Sequence, residues 1–242
     1  LHDAFIVDLM GGSFFVDPSR SNVLSAGNNP AAAANPNYKN EKLKEGDTVY
    51  RDNTGYVVQG GVFGQAEYTL DKLNAFVSAS ISNNSYWKVD RFYYDNEKSD
   101  VGNFLGYTIK GGANYNLNEN HNVFANVGYV SRAPFMSGGY FVNIHTSNDV
   151  NPDPINENLF SAELGYGFRT GNFAANLNAY YTKWMNKTMV KQDNRTRGYI
   201  NVEGLDALHQ GIELEVTYKP TKDLTLRGMV SIGDWGWLND AT

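Results

Sequence analysis

The sequence predicts an all-β protein, an antiparallel up-and-down transmembrane β-barrel of which this chain supplies about eight strands. Three observations support this fold class. Apolar and polar residues alternate along eight segments, short turns alternate with longer polar stretches, and residues favoured in strands and turns are abundant. The 242 residues include 16 Tyr, 13 Phe and 24 Gly. Such an excess of aromatic residues and glycine is typical of strands and tight turns rather than of helices.

The composition also excludes several classes of function. The chain has no cysteine, which excludes disulfides, zinc fingers, iron–sulfur clusters and thiol nucleophiles. Its formal net charge is -6, the wrong sign for a phosphate-binding surface, so no nucleic acid partner is expected. No run of about 18 apolar residues predicts a transmembrane helix. A mean hydropathy of -0.46 still allows a β-barrel, in which only alternate residues face lipid.

Four hairpins are predicted in chain order. Their strands cover residues 58–70 and 73–81, 105–117 and 123–129, 160–169 and 173–181, and 212–219 and 224–232, with short turns near residues 71, 119, 171 and 221. Longer polar stretches, residues 90–103, 135–158 and 191–208, separate the strands at the opposite ends. Outer-membrane barrels alternate in this way, with short periplasmic turns and long extracellular loops.

Each predicted strand has one apolar and one polar face. In residues 105–117 the odd positions carry Leu, Tyr, Ile, Gly and Ala, whereas the even positions carry Gly, Thr, Lys and Asn. The charged residues of all eight segments fall on the polar face. This is expected in a membrane, because a charge facing lipid at the bilayer centre costs about 2–4 kcal/mol.

A soluble β-sandwich that binds a ligand is the alternative with the same alternation. Two features favour the barrel. The apolar face carries tyrosines near the segment ends, as in interfacial aromatic girdles, and its centre is rich in small residues that would underfill a sandwich core. These tyrosines are Tyr68, Tyr115, Tyr166 and Tyr218. A passive porin or a surface-adhesin barrel would show the same pattern and stays a second alternative.

The predicted organisation has two parts. Residues 1–55 are expected to form an extracellular loop region, and residues 56–242 a partial transmembrane β-barrel. With the short turns in the periplasm, both ends of the chain are expected outside the cell, whereas single-chain bacterial barrels place both ends in the periplasm. We therefore expect an interior stretch of a longer barrel, since an unclosed sheet would leave backbone groups unpaired in hydrocarbon.

Four motifs, in the same order, resemble the barrel of TonB-dependent outer-membrane receptors. Residues 61–70 (GVFGQAEYTL) are similar to the family strand x-F-x-Q-x-E-Y-x-L, and residues 122–135 (NVFANVGYVSRAPF) to the strand ending in F-R-A-P. Residues 151–165 (NPDPINENLFSAELG) resemble the N-P-x-L-x-P-E box, and residues 204–215 the x-G-x-E-x-E strand. Ser131 stands where the family more often has Phe, and Pro154 where Leu is frequent.

The resemblance implies energised import across the outer membrane of a Gram-negative bacterium. It implies a 22-stranded barrel embedded in outer-membrane lipid, a plug domain in the lumen, and an N-terminal segment outside this sequence that binds the TonB complex. The imported solute would be a scarce small molecule or glycan: a ferric siderophore, haem, cobalamin or a glycan. This chain would supply wall, lumen lining and extracellular loops.

Charged residues on the polar face are the candidates for contacts with the plug domain or for lining a substrate path. They are Glu67, Lys110, Arg132, Glu163, Arg169, Glu213, Glu215 and Arg227. Solvated charges in a wet barrel interior would look the same. Arg132 is the leading candidate because Pro134 ends strand pairing nearby and fixes where a planar guanidinium with five donors emerges.

Aromatic residues and one histidine of the predicted extracellular loops are the candidates for ligand contacts. They are Trp87, Tyr93, Tyr94, Tyr140, Phe141 and His145. Haem receptors of the family place a haem-ligating histidine between two such boxes, so the resemblance makes His145 a conceivable axial ligand. The boxes are shared with siderophore receptors, and no resident cofactor or metal is predicted. The aromatic residues also suit stacking on sugars.

Catalysis is the alternative from a different functional class. Glu213 and Glu215 lie on one face of a strand, roughly 7 Å apart, within the range of paired glycosidase carboxylates. Acids at positions i and i+2 of a strand are common by chance, and the sequence contains no nucleophile elbow, P-loop or HExxH motif. The chain is therefore predicted not to be an enzyme.

Overall fold

A computed structural model describes most of the chain and consists of β-strands joined by turns and loops. The residues it describes are 2–5, 14–17, 22–25, 45–46, 48–91, 94, 96–142, 144, 147–192 and 199–239. Its strands are β1 (His2–Phe5), β2 (Phe14–Asp17), β3 (Asn22–Ser25), β4 (Thr48–Leu70), β5 (Leu73–Asp90), β6 (Glu97–Lys98), β7 (Gly102–Asn116), β8 (His121–Arg132), β9 (Glu157–Arg169), β10 (Phe173–Gln192), β11 (Tyr199–Tyr218) and β12 (Leu226–Trp237). Within these residues, no helix has the length and apolar character needed to cross a membrane.

The long strands form one antiparallel sheet in which each strand pairs with the next along the chain. The order is β1-β4-β5-β7-β8-β9-β10-β11-β12, with the two-residue β6 paired to β5. Strands β2 and β3 form a separate hairpin. The predicted all-β, up-and-down architecture with about eight long strands is confirmed.

The tight connections lie at one end of the sheet. Two residues, Asp71 and Lys72, join β4 to β5, and Asp71 adopts a left-handed conformation with φ of 45°. In the turn after β7 the side-chain oxygen of Asn118 accepts the backbone N–H groups of Asn120 and His121. In the turn after β9 the side-chain oxygen of Thr170 likewise accepts the backbone N–H of Phe173. Their periplasmic location, and the division of the chain at residue 55, stay predictions.

Several strands extend further from the tight turns than the sequence predicts. Strand β5 continues to Asp90 rather than ending at residue 81, and β10 continues to Gln192. The prediction of a long loop over residues 191–208 is wrong for residues 191–192, which belong to β10, and for residues 199–208, which belong to β11. The two strands pair as far as Gln192 and Tyr199. Backbone pairing needs no apolar face, so polar residues extend the ladder beyond the alternating segments.

The pairing register confirms that apolar residues of neighbouring strands share one face. Ile109 pairs with Ala79 on one side and Tyr129 on the other, and Leu164 pairs with Ala125 and Ala179. This apolar face is uncovered: Leu164 is 63% exposed and Ile232 is 75% exposed. A sandwich would bury such residues against a second sheet.

The buried core lies at the end of the sheet away from the tight turns. Tyr86, Phe104, Tyr140, Phe141 and Ile144 form its centre. The Phe104 and Tyr140 rings meet edge to face with centroids 5.6 Å apart, and Tyr140 contacts Phe141 at 4.9 Å. The described part of the segment between β8 and β9 (residues 133–142, 144 and 147–156) thus folds back on β5 and β7, and we call it the β8–β9 loop.

Candidate functional site

All eight charged candidates from the sequence lie on the face opposite the apolar one, which we call the polar face. The register shows this directly, because directly paired residues point to the same side of a sheet. Lys110 pairs with Ser78 and Gly128, Glu163 with Asn126, and Arg227 with Thr217. By the same ladder Glu67, Arg132, Arg169, Glu213 and Glu215 belong to the polar face.

A network of amides and one carboxylate crosses the middle of the polar face. Glu163 accepts a hydrogen bond from Asn126 at 3.0 Å on β8 and from Asn178 at 2.5 Å on β10. One strand further, Asn122 donates to Asn114 at 2.6 Å. Each cross-strand bond fixes a polar side chain upright on the sheet, so the network presents an ordered surface of hydrogen-bonding groups.

A shallow concavity lies on the polar face beside this network. Its volume is about 520 Å³, and it is lined by residues that include Gln65, Glu67, Asn74, Asn114 and Asn126. Gln65 donates to the carboxylate of Glu67 at 2.7 Å. The lining combines amide and carboxylate groups with the rings of Phe76 and Phe124, so it offers both polar and apolar contacts.

The structure does not bring the eight charges into one cluster. Within the described part of the chain, the one hydrogen bond that the Glu213 carboxylate accepts is a long one of 3.4 Å from Ser231. The charges are spread over six strands. Among the described residues, no group of three His, Asp or Glu side chains is arranged to hold a metal ion.

Arg132 forms the most structured contact of the set. Its Nε and Nη2 donate to Oε2 of Glu157 at 3.0 and 2.5 Å, across the β8–β9 pairing. Glu157 is fully buried, and its other carboxylate oxygen accepts the backbone N–H of Thr188 at 3.2 Å. Two oxygens with three donors satisfy the buried charge, as burial in a low-dielectric site requires.

Aromatic rings flank the guanidinium of Arg132. It lies 4.8 Å from the ring centre of Phe135 and 5.0 Å from that of Trp184, and Lys187 approaches the same indole at 3.8 Å. Sequence reasoning missed Glu157, Trp184 and Lys187. The carboxylate could have been found as the last residue of the N-P-x-L-x-P-E box, and Trp184 by continuing the alternation of β10 beyond residue 181. The place of Lys187 depends on an irregularity in β10.

Two of the predicted loop candidates are interior residues. Tyr140 and Phe141 pack in the buried core, so their rings stabilise the β8–β9 loop instead of offering a surface to a ligand. Asn151 holds this loop from the other side, since its amide donates to the carbonyl of Gly139 at 3.1 Å and to the carboxylate of Glu203.

The other loop candidates are scattered. Trp87 stacks on Tyr56 with ring centres 5.2 Å apart, and the register places this pair on the apolar face. Lys98 covers the Trp87 ring at 5.0 Å. Tyr94 is half-buried in the turn before β6. Tyr93 and His145 lie outside the described residues, so a ligand-binding role for either stays a prediction.

A buried polar cluster fastens the β8–β9 loop to β5. Nζ of Lys88 donates to the backbone carbonyl of Ile144 at 2.9 Å and lies 3.5 Å from the Asp90 carboxylate. Asn53 of β4 donates to the same carbonyl at 3.3 Å. The side chains of Lys88, Asp90 and Asn53 are fully buried. Desolvation lowers the pKa of Lys88, although the nearby Asp90 carboxylate opposes this shift. The cluster lies beyond the alternating segments of the sheet.

Comparison with known proteins agrees with this arrangement. A family model described as "TonB dependent receptor-like, beta-barrel" matches residues 4–242. The chain belongs to the TonB-dependent receptor family. This membership confirms a partial receptor barrel and an outer-membrane location in a Gram-negative bacterium, and it confirms that the protein is not an enzyme. No curated protein shows a significant match.

Solved structures share the fold at low sequence identity. The ferric yersiniabactin uptake receptor FyuA from Yersinia pestis is 16% identical with a TM-score of 0.60, over 82% of this chain and 30% of its own. The copper transporter OprC is 12% identical with a TM-score of 0.60, over 75% of this chain and 29% of its own. The FrpB iron transporter from Neisseria meningitidis is 17% identical with a TM-score of 0.54, over 77% of this chain and 27% of its own. This chain thus spans under a third of the length of each of these proteins.

Proposed function

We propose that this chain forms part of the wall of a TonB-dependent receptor that binds a scarce nutrient at the cell surface and imports it with TonB-coupled energy. The single observation that carries the proposal is the family match over residues 4–242. A plug domain in the lumen and the TonB complex are partners in the same proposal. The solute is a ferric siderophore, haem, cobalamin or a glycan.

The two faces of the sheet have different tasks in this proposal. The apolar face contacts outer-membrane lipid, because its exposed side chains are those that a bilayer stabilises. The polar face lines the lumen, where the network around Glu163 contacts the plug domain or the passing solute. The β8–β9 loop and the end of β5 face the medium.

The names of the structural neighbours support import but do not select the cargo. They are described as a copper transporter, an iron transporter and a ferric yersiniabactin uptake receptor. Identities of 12–17% reflect a shared barrel rather than a shared ligand pocket.

Uptake by cells that carry the full-length gene tests the proposal. A deletion strain, the complemented strain and the complemented strain without tonB are supplied with radiolabelled ferric siderophores, haem, cobalamin and oligosaccharides. We expect accumulation of at least one solute that requires the gene, requires TonB, and stops when a protonophore is added. Accumulation that is equal with and without TonB contradicts the proposal and favours a passive porin.

A further inference from the structure

The side chain of Arg132 is held rigidly at the end of β8. Phe135 and Trp184 flank its guanidinium at 4.8 and 5.0 Å, and Glu157 accepts hydrogen bonds from Nε and Nη2. A guanidinium offers five N–H donors, and the Glu157 contacts use two of them. The side chain is 38% exposed, so donors that Glu157 does not use reach the open side of the polar face.

A second cation stands beside the same indole. Nζ of Lys187 lies 3.8 Å from the ring centre of Trp184, and among the described residues it has no carboxylate within ion-pair distance. The backbone places it there, because the β10–β11 register shifts between Trp184 and Lys187, and Asn186 has a φ of 57°. This irregularity brings Lys187 to the side of the sheet that carries Trp184.

The acids nearby do not neutralise Lys187. Both oxygens of Glu157 are occupied, one by Arg132 and the other by the backbone N–H of Thr188. Asp206 of the neighbouring strand accepts the backbone N–H of Asn186 and pairs with Lys183 at 3.2 Å. The group formed by Arg132, Lys187, Phe135 and Trp184 therefore has surplus positive charge and surplus donors.

We propose that this group, which we call the cation–aromatic site, binds the carboxylate of a small planar ligand inside the receptor. The free edge of the Arg132 guanidinium matches a carboxylate, since it can donate two parallel hydrogen bonds, and Lys187 adds a second charge-assisted contact. Phe135 is 56% exposed and offers an apolar surface for the flat part of the ligand. The inference rests on the proposed import function, which brings solutes into the lumen.

Calorimetric titration of the purified full-length receptor in detergent tests the site. Benzoate is the probe, and benzamide, which has the same shape without the charge, is the control ligand. We expect benzoate to bind at least tenfold more tightly than benzamide. Lys187→Gln is expected to weaken benzoate about tenfold, the loss of one charge-assisted contact, and to leave benzamide unchanged. Lys191→Gln removes the same charge from the same strand outside the site and should change neither.

A second variant tests Arg132 without leaving the buried carboxylate of Glu157 unpaired. Arg132→Gln combined with Glu157→Gln removes both members of the ion pair and should abolish the preference for benzoate. Equal binding of benzoate and benzamide by the unchanged receptor, or unchanged benzoate binding in Lys187→Gln, overturns the inference. A third result also overturns the inference: the unchanged receptor does not bind benzoate, and Lys187→Gln has a lower melting temperature than the unchanged receptor. An acidic side chain of the protein would then occupy the site.

The uptake experiment separates this inference from the proposed function. TonB-dependent uptake without a preference for benzoate contradicts the cation–aromatic site alone. Benzoate binding without TonB-dependent uptake contradicts the import proposal, on which the physiological meaning of the site depends.

Discussion

The two ends of the long strands are stabilised in different ways. Next to the tight turns the sheet is a single layer, with Leu164 and Ile232 largely exposed on its apolar face. At the opposite end the β8–β9 loop covers the strands, and Phe141 and Lys88 are fully buried. The first region depends on lipid to stabilise its apolar side chains, whereas the second has a packed core like that of a soluble protein. Substitutions should therefore act by different physical causes in the two regions.

The largest effect is expected from a cavity in the loop core. Phe141→Ala removes a fully buried ring that contacts Tyr140, and we expect a loss of about 3–5 kcal/mol in the stability of the β8–β9 loop. Hydrogen exchange of the loop amides in the full-length receptor measures it. Phe135→Ala, which removes an exposed ring from the same loop, is the control. Equal protection in the two variants would contradict the packed core.

A charge on the apolar face should give the next largest effect. Ile109→Arg places a cation on the face that we assign to lipid, at a cost of about 2–4 kcal/mol. Thr108→Arg introduces the same side chain one residue away on the polar face and should cost far less. The yield of folded, heat-modifiable receptor in lipid vesicles measures both. Equal yields would contradict the assignment of the faces.

Adding one methyl group should destabilise the two regions to different extents, with a smaller effect than the substitutions above. A Cβ at Gly102 would lie 2.7 Å from the Tyr140 ring and 2.8 Å from the Phe104 ring, so Gly102→Ala should destabilise the loop core by about 1–3 kcal/mol. At Gly64, nearer the tight turns, a Cβ meets nothing within 4 Å. Thermal melting of the two variants should show a lower midpoint for Gly102→Ala alone. Equal melting midpoints for the two variants would mean that the loop core rearranges to accommodate the added methyl group, which would contradict tight packing there.

The smallest expected effect is a pH dependence of the loop region. Burial lowers the pKa of Lys88 below its ordinary 10.5, so the folded chain holds this proton less tightly than the unfolded chain. Between the lowered pKa and 10.5, unfolding takes up a proton, and the stability of the region rises as the pH rises. Loop hydrogen exchange corrected for intrinsic rates should show this slope, and Lys88→Met should remove it. The same slope in Lys88→Met would assign it to another group.

The sequence predicts the membrane-facing region well because its determinants are local. A period of two residues decides which side of the sheet each residue faces, and the register follows once tight turns fix each hairpin. This pattern alone predicts Glu163 and Lys110 on the polar face, and the pairing confirms it.

The loop region depends on contacts between distant parts of the chain. The buried Lys88 donates a hydrogen bond to the carbonyl of Ile144, which lies 56 residues further along the chain, and no local pattern reveals this contact. Tyr140 and Phe141 resemble surface aromatics in a polar segment, yet they form the core because β5 and β7 supply Tyr86 and Phe104 beneath them. The place of Lys187 beside Trp184 depends on a bulge, whose position alternation alone does not give.

The accessibility of the two faces in a bilayer tests the central claim most directly. Leu164→Cys and Ser161→Cys, on opposite faces of β9, are spin-labelled in the full-length receptor, with any other cysteine replaced, in vesicles of outer-membrane lipid. The label at residue 164 should collide with dissolved oxygen and be shielded from the water-soluble nickel complex of ethylenediamine diacetate, and the label at residue 161 should show the reverse. The same accessibility at both positions, or the opposite assignment, would contradict a barrel wall with an apolar side toward lipid and a polar side toward the lumen.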